Sequence, residues 1–197
     1  MLVSDMKDSP SALLLQDFVN TYDVECDVDE IDTPERLDKW LRQRGLLSAP
    51  AAVRPGDVRT ARGLREGLRA AMLDHHTTAG QRLPPELHEA LTRLPLRVSF
   101  ATGSPALVSA ADGAEAALGG VATAIMACVT EGTWPRLKVC QEDTCRWAFL
   151  DTSKNHSRAW CSMRVCGNRT KTRAYRARRR TEPAPAEAGG PPRPGAH

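Results

Sequence analysis

Four cysteines stand in two pairs near the carboxyl end of the chain, with the same spacing inside each pair. Cys140 and Cys145 enclose four residues, fifteen residues separate the pairs, and Cys161 and Cys166 enclose four more. Four thiolates in two close pairs can surround one tetrahedral zinc ion at about 2.3 Å, and such pair spacings are typical of structural zinc sites. The pattern predicts that Cys140, Cys145, Cys161 and Cys166 bind one structural zinc ion.

Residue types alone leave other interpretations of the cysteines open. Two disulfides would need an oxidising compartment, which the start of the chain does not indicate. A catalytic zinc is disfavoured because four sulfur ligands leave no open position for water. Oxidation of the thiols with release of zinc is compatible with the same residues. His156 could replace a cysteine, but it lies in a polar turn and we expect it to be solvated.

The spacing of the second pair restricts the local structure. Positions five apart on an α-helix differ by about 140° in direction, so Cys161 and Cys166 cannot both face one ion from mid-helix. We therefore expect a helix to begin at or near Cys166. Between the pairs, "RWAFLD" and "RAW" flank the turn "TSKNHS" and predict a β-hairpin. Metal binding would supply much of the folding free energy of so small a module.

The most basic stretch of the chain, "TKTRAYRARRR", follows directly. Counted at about 100° per residue from Arg169, four arginines fall on a helical face about 60° wide: Arg169, Arg173, Arg176 and Arg180. Lys171 and Arg178 lie opposite. Such a helix fits the major groove of duplex DNA, where arginines reach phosphates or guanine edges. RNA is disfavoured because no aromatic platform for bases is obvious. An inert charged surface and an acidic protein partner are the alternatives. The predicted DNA contacts are Arg169, Lys171, Arg173, Arg176 and Arg180.

Charge divides the 197-residue chain into unlike halves. Residues 134–180 hold 13 Lys/Arg and 3 Asp/Glu, whereas residues 1–133 hold 13 and 19. The basic residues 134–180 are therefore suited to binding a polyanion, whereas the acidic residues 1–133 are not. No stretch approaches the roughly 18 apolar residues of a membrane span, and the amino-terminal residues do not resemble a secretion signal. We expect a cytoplasmic, nucleoid-associated protein without a membrane segment.

Residues 1–133 are predicted to be mainly helical. Apolar residues recur at helical spacing in five segments, and "LRVSF" and "PALVSA" around "TGSP" predict a small β-hairpin. Ser11 is the expected cap of the first helix, and Thr33, Pro34 and Gly45 frame the second. The third helix is predicted to bury one apolar stripe and to carry its arginines on its other faces. That stripe comprises Val58, Ala61, Leu64, Leu68 and Met72.

The predicted fold class is α+β, in three parts. Residues 1–133 form a mainly helical regulatory domain with a small β-hairpin. Residues 134–180 form a four-cysteine zinc module with a β-hairpin and a basic helix. The Pro/Ala/Gly-rich residues 181–197 are too poor in large apolar side chains to fold and are predicted to be disordered.

A few polar residues of the helical domain have two interpretations each. Asn20 and Thr21 could line a pocket, but we favour a helix cap. His75 and His76 point about 100° apart on a helix, which favours a solvated helix end over a metal site. The sequence has no nucleophile and base at a spacing typical of catalytic motifs, no phosphate loop and no catalytic metal motif. We therefore predict that the protein is not an enzyme.

The carboxyl-terminal motifs resemble the CGNR zinc-finger family of bacterial regulators. The likeness rests on the tetrapeptide Cys166-Gly167-Asn168-Arg169, on Asp151-Thr152-Ser153 and on Trp160-Cys161-Ser162-Met163. Upstream, "LLLQDFVNTYD", "LDKWL" and "LREGLRAAM" are similar to the ABATE domain of stress-induced transcription regulators. The resemblance covers about residues 11–180. It implies that the four paired cysteines bind zinc, that Arg169 and Lys171 lie on a DNA-facing helix, and that the first domain senses a ligand or mediates assembly.

Taken together, these observations predict a zinc-dependent DNA-binding transcription regulator. Its expected partners are double-stranded DNA, a small-molecule effector and a second copy of the chain. An RNA- or ribosome-associated zinc protein is the first alternative, and a small-molecule enzyme is a weaker one.

Overall fold

A computed structural model describes residues 9–48, 51–77 and 83–181 of the chain. All but the first residue of the predicted tail 181–197 lie outside the described residues, as do residues 1–8 of the predicted first domain. The described fold is helix-rich with three small antiparallel hairpins, in agreement with the predicted α+β class. The elements of the helical part are α1 (Pro10–Val19), β1 (Tyr22–Asp23), β2 (Val28–Asp29), α2 (Pro34–Gln43), α3 (Pro55–Asp74), α4 (Pro85–Thr92), β3 (Leu96–Ser99), β4 (Ala106–Ser109) and α5 (Gly113–Glu131).

The second half of the fold is built from short elements around the paired cysteines. A single 3-10 turn at Trp134–Arg136 leads into β5 (Leu137–Val139), which pairs with β6 (Ala148–Leu150). A wide helical turn at Met163–Gly167 then opens α6 (Asn168–Thr181).

The first two helices show how the sequence sets helix ends. The cap of α1 is Ser9, whose Oγ accepts a hydrogen bond from the Ala12 amide at 3.1 Å, so the prediction of Ser11 was wrong. Pro10 explains the difference, because proline suits the first helical position and the capping residue precedes it. Helix α2 agrees with the prediction: Thr33 caps it, and the chain leaves it through Gly45 at a φ of 67°.

Helices α3 and α5 carry most of the aliphatic core. The predicted stripe of α3 from Val58 to Met72 is fully or almost fully buried. Helix α5 has a mean hydropathy of 1.4, long and apolar enough by length and composition alone to cross a membrane. Half of that window is buried inside this fold, and α5 packs against α1 and β4, so here it is a core helix. A Cβ on its Gly119 would lie 2.7 Å from Ser109 Oγ, which explains a glycine inside the helix.

Two arginines of α3 are buried, contrary to the prediction that this helix keeps its arginines away from the core. Arg65 is 1% exposed, and its guanidinium binds both carboxylate oxygens of Asp29 at 2.7 and 2.9 Å. It also lies over the ring of Tyr22 at 5.1 Å. Burial alone would raise the pKa of Asp29, but the hydrogen bonds from Arg65 outweigh this and hold that pKa below its usual value. The acidic segment around Asp29 therefore forms a β1–β2 hairpin that is tethered to α3.

The second buried arginine connects the two halves of the fold. Arg69 donates to the carbonyls of Val19 at 2.8 Å, Tyr22 at 3.1 Å and Arg146 at 2.7 Å. Since Arg146 follows the first cysteine pair, one guanidinium holds the end of α1, the acidic hairpin and the cysteine loop together.

The strands β5 and β6 belong to the same apolar core as the helices. Leu137, Val139, Ala148 and Leu150 are buried in it. The hairpin therefore runs on either side of the first cysteine pair and not between the pairs, and the predicted return strand "RAW" is wrong. Ala159 contributes only a carbonyl, which accepts from the Gln141 amide at 3.0 Å. The segment "LKV" before the first cysteine pairs with "AFL" because Leu137 and Val139 reach the core with Ala148 and Leu150, whereas the polar turn cannot.

Side chains of the helical part complete the hydrogen bonding of this hairpin. The Asn20 amide both donates to the Ala148 carbonyl at 3.0 Å and accepts from the Ala148 amide at 2.7 Å. Gln16 Oε1 accepts from the Leu150 amide at 3.0 Å. Asn20 lies at the end of α1, as the cap interpretation requires, but its side chain hydrogen-bonds to the backbone of β6.

The two adjacent histidines hold the other strand. His75 Nδ1 lies 2.7 Å from the Leu137 carbonyl and His76 Nε2 lies 2.6 Å from the Val139 carbonyl. Each of these ring nitrogens is therefore the protonated donor. The expectation of a solvated helix end was wrong. Burial lowers the pKa of both imidazoles, which favours their neutral forms.

The buried Arg65–Asp29 pair yields a stability prediction. Arg65→Met should lower the free energy of unfolding by about 3 to 5 kcal/mol, because removing one partner leaves a buried carboxylate uncompensated. Arg62→Met is the matched control on the same helix, since Arg62 lies 3.5 Å from Asp29 but is 55% exposed. Its cost should stay below about 1 kcal/mol. Urea unfolding of both variants measures the difference, and equal losses would contradict the assignment.

Candidate zinc centre and basic helix

The four paired cysteines converge on one point. Their Sγ atoms all lie within 4.8 Å of one another, with Cys145 to Cys161 at 3.6 Å and Cys161 to Cys166 at 3.7 Å. Sulfurs 2.3 Å from a central tetrahedral zinc would be about 3.8 Å apart. A disulfide needs about 2.05 Å, and all four cysteines are free thiols. The predicted cluster is confirmed, with His156 outside it.

The first pair occupies the loop of the β5–β6 hairpin. The Cys140 amide donates to the Trp147 carbonyl at 2.9 Å and extends the ladder, and the Cys145 amide closes a tight turn onto the Glu142 carbonyl at 2.9 Å. Arg146 then takes a left-handed φ of 52°, which returns the chain to β6. This loop turns both sulfurs to one side.

The second pair flanks the start of a helix, as its spacing predicted. Ser162 is the helix cap and its Oγ accepts from the Val165 amide at 3.3 Å, so Cys161 stands before the helix and Cys166 within its first turn. That turn is wider than an α-helical one. A Cβ at Gly167 would lie 2.5 Å from Met163 Sδ, so a side chain there would force Met163 to move.

The chemistry of this donor set fits one structural zinc ion. Burial, together with the neighbouring Cys145 thiol, raises the pKa of Cys166 to about 12, and burial also raises the pKa of Cys161. Four thiolates this close are unfavourable without a divalent cation, and a cation makes them stable. Cys140, Cys145, Cys161 and Cys166 would hold the ion from all sides, so its role is to cross-link the hairpin to the helix.

A buried carboxylate that sequence reasoning did not single out for a role shapes the segment between the pairs. Asp151 receives the Lys138 ammonium at 2.9 Å, the Ser153 amide at 3.0 Å and the Arg158 amide at 3.0 Å. Burial alone would raise the pKa of Asp151, but the hydrogen bonds from Ser153 and Lys138 lower it to about 2. The carboxylate thus fixes the loop that brings Cys161 to the site. An aspartate two residues before a serine is the local signal of such a turn.

A second missed carboxylate joins the cysteine loop to α6. The Glu142 side chain is fully buried; it accepts from Thr170 Oγ1 at 2.9 Å and from Thr144 Oγ1 at 3.3 Å, and it pairs with Arg173 at 2.9 Å. Burial alone would raise its pKa, yet the hydrogen bonds from Thr170 and Arg173 place that pKa below the usual value. Glu142 stays ionised at neutral pH and sets the orientation of α6.

The predicted DNA contacts all lie on α6 but do not share one environment. Arg173 contacts Glu142, and Arg169 contacts Glu25 of the acidic hairpin at 2.9 Å. Lys171 and Arg176 are exposed. The backbone of the fifth, Arg180, continues α6, while its side chain lies outside the described residues.

Two known families match consecutive stretches of the chain. Residues 13–132 match the ABATE family, described as "Putative stress-induced transcription regulator". The chain belongs to this family. Residues 136–179 match the CGNR zinc finger, so both predicted resemblances are confirmed in the predicted order. No curated protein matches the sequence.

The structure gives each residue of the CGNR tetrapeptide a physical role. Cys166 supplies a sulfur, and Gly167 allows the close approach of Met163 described above. Asn168 donates from Nδ2 to the Arg164 carbonyl at 3.0 Å and secures the wide turn. Arg169 reaches across to Glu25. The tetrapeptide therefore builds the junction between the metal site and the basic helix of this ABATE protein.

The metal site can be tested with two cysteine variants. Wild-type protein should contain about one zinc ion per chain, and Cys166→Ser should lose most of it because three sulfurs bind less tightly than four. Cys26→Ser is the matched control, since Cys26 is an exposed thiol. Elemental analysis after dialysis against a weak chelator gives the readout. Retention of full zinc by Cys166→Ser would contradict the assignment.

Proposed function

We propose that this ABATE protein is a zinc-dependent DNA-binding transcription regulator whose helix α6 lies against duplex DNA. One observation carries the proposal. Helix α6 has seven Lys/Arg and no acidic residue among its 14 residues, and it is anchored at its start to the sulfur cluster. Seven like charges on one helix repel one another, and a phosphate backbone relieves that repulsion.

The anchoring of α6 supports a DNA-binding role more strongly than composition alone. Cys166 and Thr170 fix its first turns to the hairpin loop, so the helix is oriented before it meets a partner. Preorganisation of this kind lowers the entropic cost of binding. We propose that Arg169, Arg173 and Arg176 reach phosphates, and that Arg169 and Arg173 exchange their protein carboxylates for them.

The helical domain is proposed to regulate the zinc module. Residues 1–133 and 134–180 are the proposed limits of the two parts. Arg69, Asn20 and the two histidines that follow α3 bond directly to the module, so a ligand or a second copy bound to the helical domain would act on α6 through these contacts. The family descriptions name a regulator and a zinc finger, which supports a role other than catalysis.

The salt dependence of DNA binding tests the proposal. If Arg169, Arg173 and Arg176 each neutralise a phosphate, these contacts should give a slope of log K against log[salt] of about −2.7. Arg176→Ala should weaken binding to all duplexes and make the slope shallower by about 0.9. Arg93→Ala is the matched control, because Arg93 is a 60% exposed arginine beyond the end of α4, in the helical domain. Fluorescence anisotropy with a labelled duplex measures both quantities.

Two outcomes would overturn this function. A slope near zero for the wild-type protein would exclude a phosphate interface. Displacement of the duplex by a structured RNA at a lower concentration than by unlabelled duplex DNA would instead indicate an RNA-binding zinc protein.

A further inference from the structure

Helix α6 and its first turn present two opposite lines of side chains. One line faces the protein: Cys166 joins the sulfur cluster, and Thr170 and Arg173 contact Glu142. These positions follow at intervals of four and three residues, which is one face of a helix. The opposite face therefore points away from the zinc module.

The outward line has the same helical spacing. Arg164, Asn168, Lys171 and Tyr175 follow at intervals of four, three and four residues, and all four are exposed. Within the described residues, the Arg164 and Lys171 side chains form no ion pair with the protein, unlike Arg169 and Arg173. This outward line is thus a different face from the arginine face predicted from the sequence.

Apolar side chains border the outward line near its start. Met163 is 55% and Val165 is 54% exposed, one on each side of Arg164 in sequence. Apolar side chains gain nothing from phosphate, but in the major groove they can contact thymine methyl groups. Met163 and Val165 lie among basic residues. This combination favours duplex DNA, whose grooves offer both phosphates and thymine methyl groups, over a protein or a lipid partner.

We propose that the outward line of Arg164, Asn168, Lys171 and Tyr175 enters the major groove and reads base edges, with Arg164 donating to a guanine. The inference rests on the proposed DNA-binding function and assigns the sequence-reading face within it. Arg169 and Arg176, whose positions fall between the two lines, then reach the phosphates at the groove rim. Arginine is suited to the reading role because its guanidinium bonds to O6 and N7 of guanine at once.

Enrichment of duplexes from a randomised library by the full-length, zinc-loaded protein tests the inference. The dissociation constants of the enriched duplex and of a scrambled one are then measured for three proteins. Wild type should prefer the enriched duplex, and Arg164→Ala should reduce this preference about tenfold or more, as expected for loss of one bidentate base contact. Arg176→Ala should weaken both duplexes to a similar extent and keep the preference. Zinc content and circular dichroism confirm that each variant is folded.

The outcomes separate the inference from the function on which it rests. If wild type binds no duplex in a salt-dependent manner, the DNA-binding function fails, and the inference fails with it. If wild type binds duplexes without enriching any sequence, or if Arg164→Ala keeps the full preference, the reading face is wrong while DNA binding stands.

Discussion

The convergence of four sulfur atoms is the constraint on which the second half of this protein depends. The hairpin β5–β6 and the turn before α6 each supply two sulfurs, and neither has enough apolar surface to stand alone. A divalent ion that accepts all four thiolates fixes the distance and the angle between them. Metal binding at the first turn therefore sets the direction of α6. The helix itself is too highly charged to be held in place by apolar packing.

The zinc module does not stand apart from the helical domain. Its two strands fill part of the same core, and side chains just after α1 and α3 hydrogen-bond to the strand backbones. Buried guanidinium groups strengthen the connection because one arginine satisfies several carbonyls at once. The boundary between the two family matches therefore falls inside a continuous core. Changes in the helical domain can reach the metal site without a flexible link.

Periodicity and cysteine spacing predicted the main elements and the clustering of the four cysteines. The apolar stripe of α3, the β3–β4 hairpin and the helix near Cys166 follow from rules that act over a few residues. Long-range partnerships did not follow. Arg65 and Arg69 look like surface residues in an amphipathic pattern, and only the fold brings Asp29 and three carbonyls to them. Glu142 and Asp151 were likewise missed, because a single carboxylate between cysteines carries no local signal of burial.

The Asn20 side chain occupies the place of a neighbouring strand. Its carbonyl and amino groups bond to the backbone of Ala148 as a paired residue would, and Gln16 Oε1 accepts from the Leu150 amide. Strands at the edge of a sheet invite other chains to pair with them and can seed aggregation. The side-chain amides of Asn20 and Gln16 cover the free edge of the short β5–β6 hairpin. They therefore help to prevent neighbouring molecules from pairing with this edge.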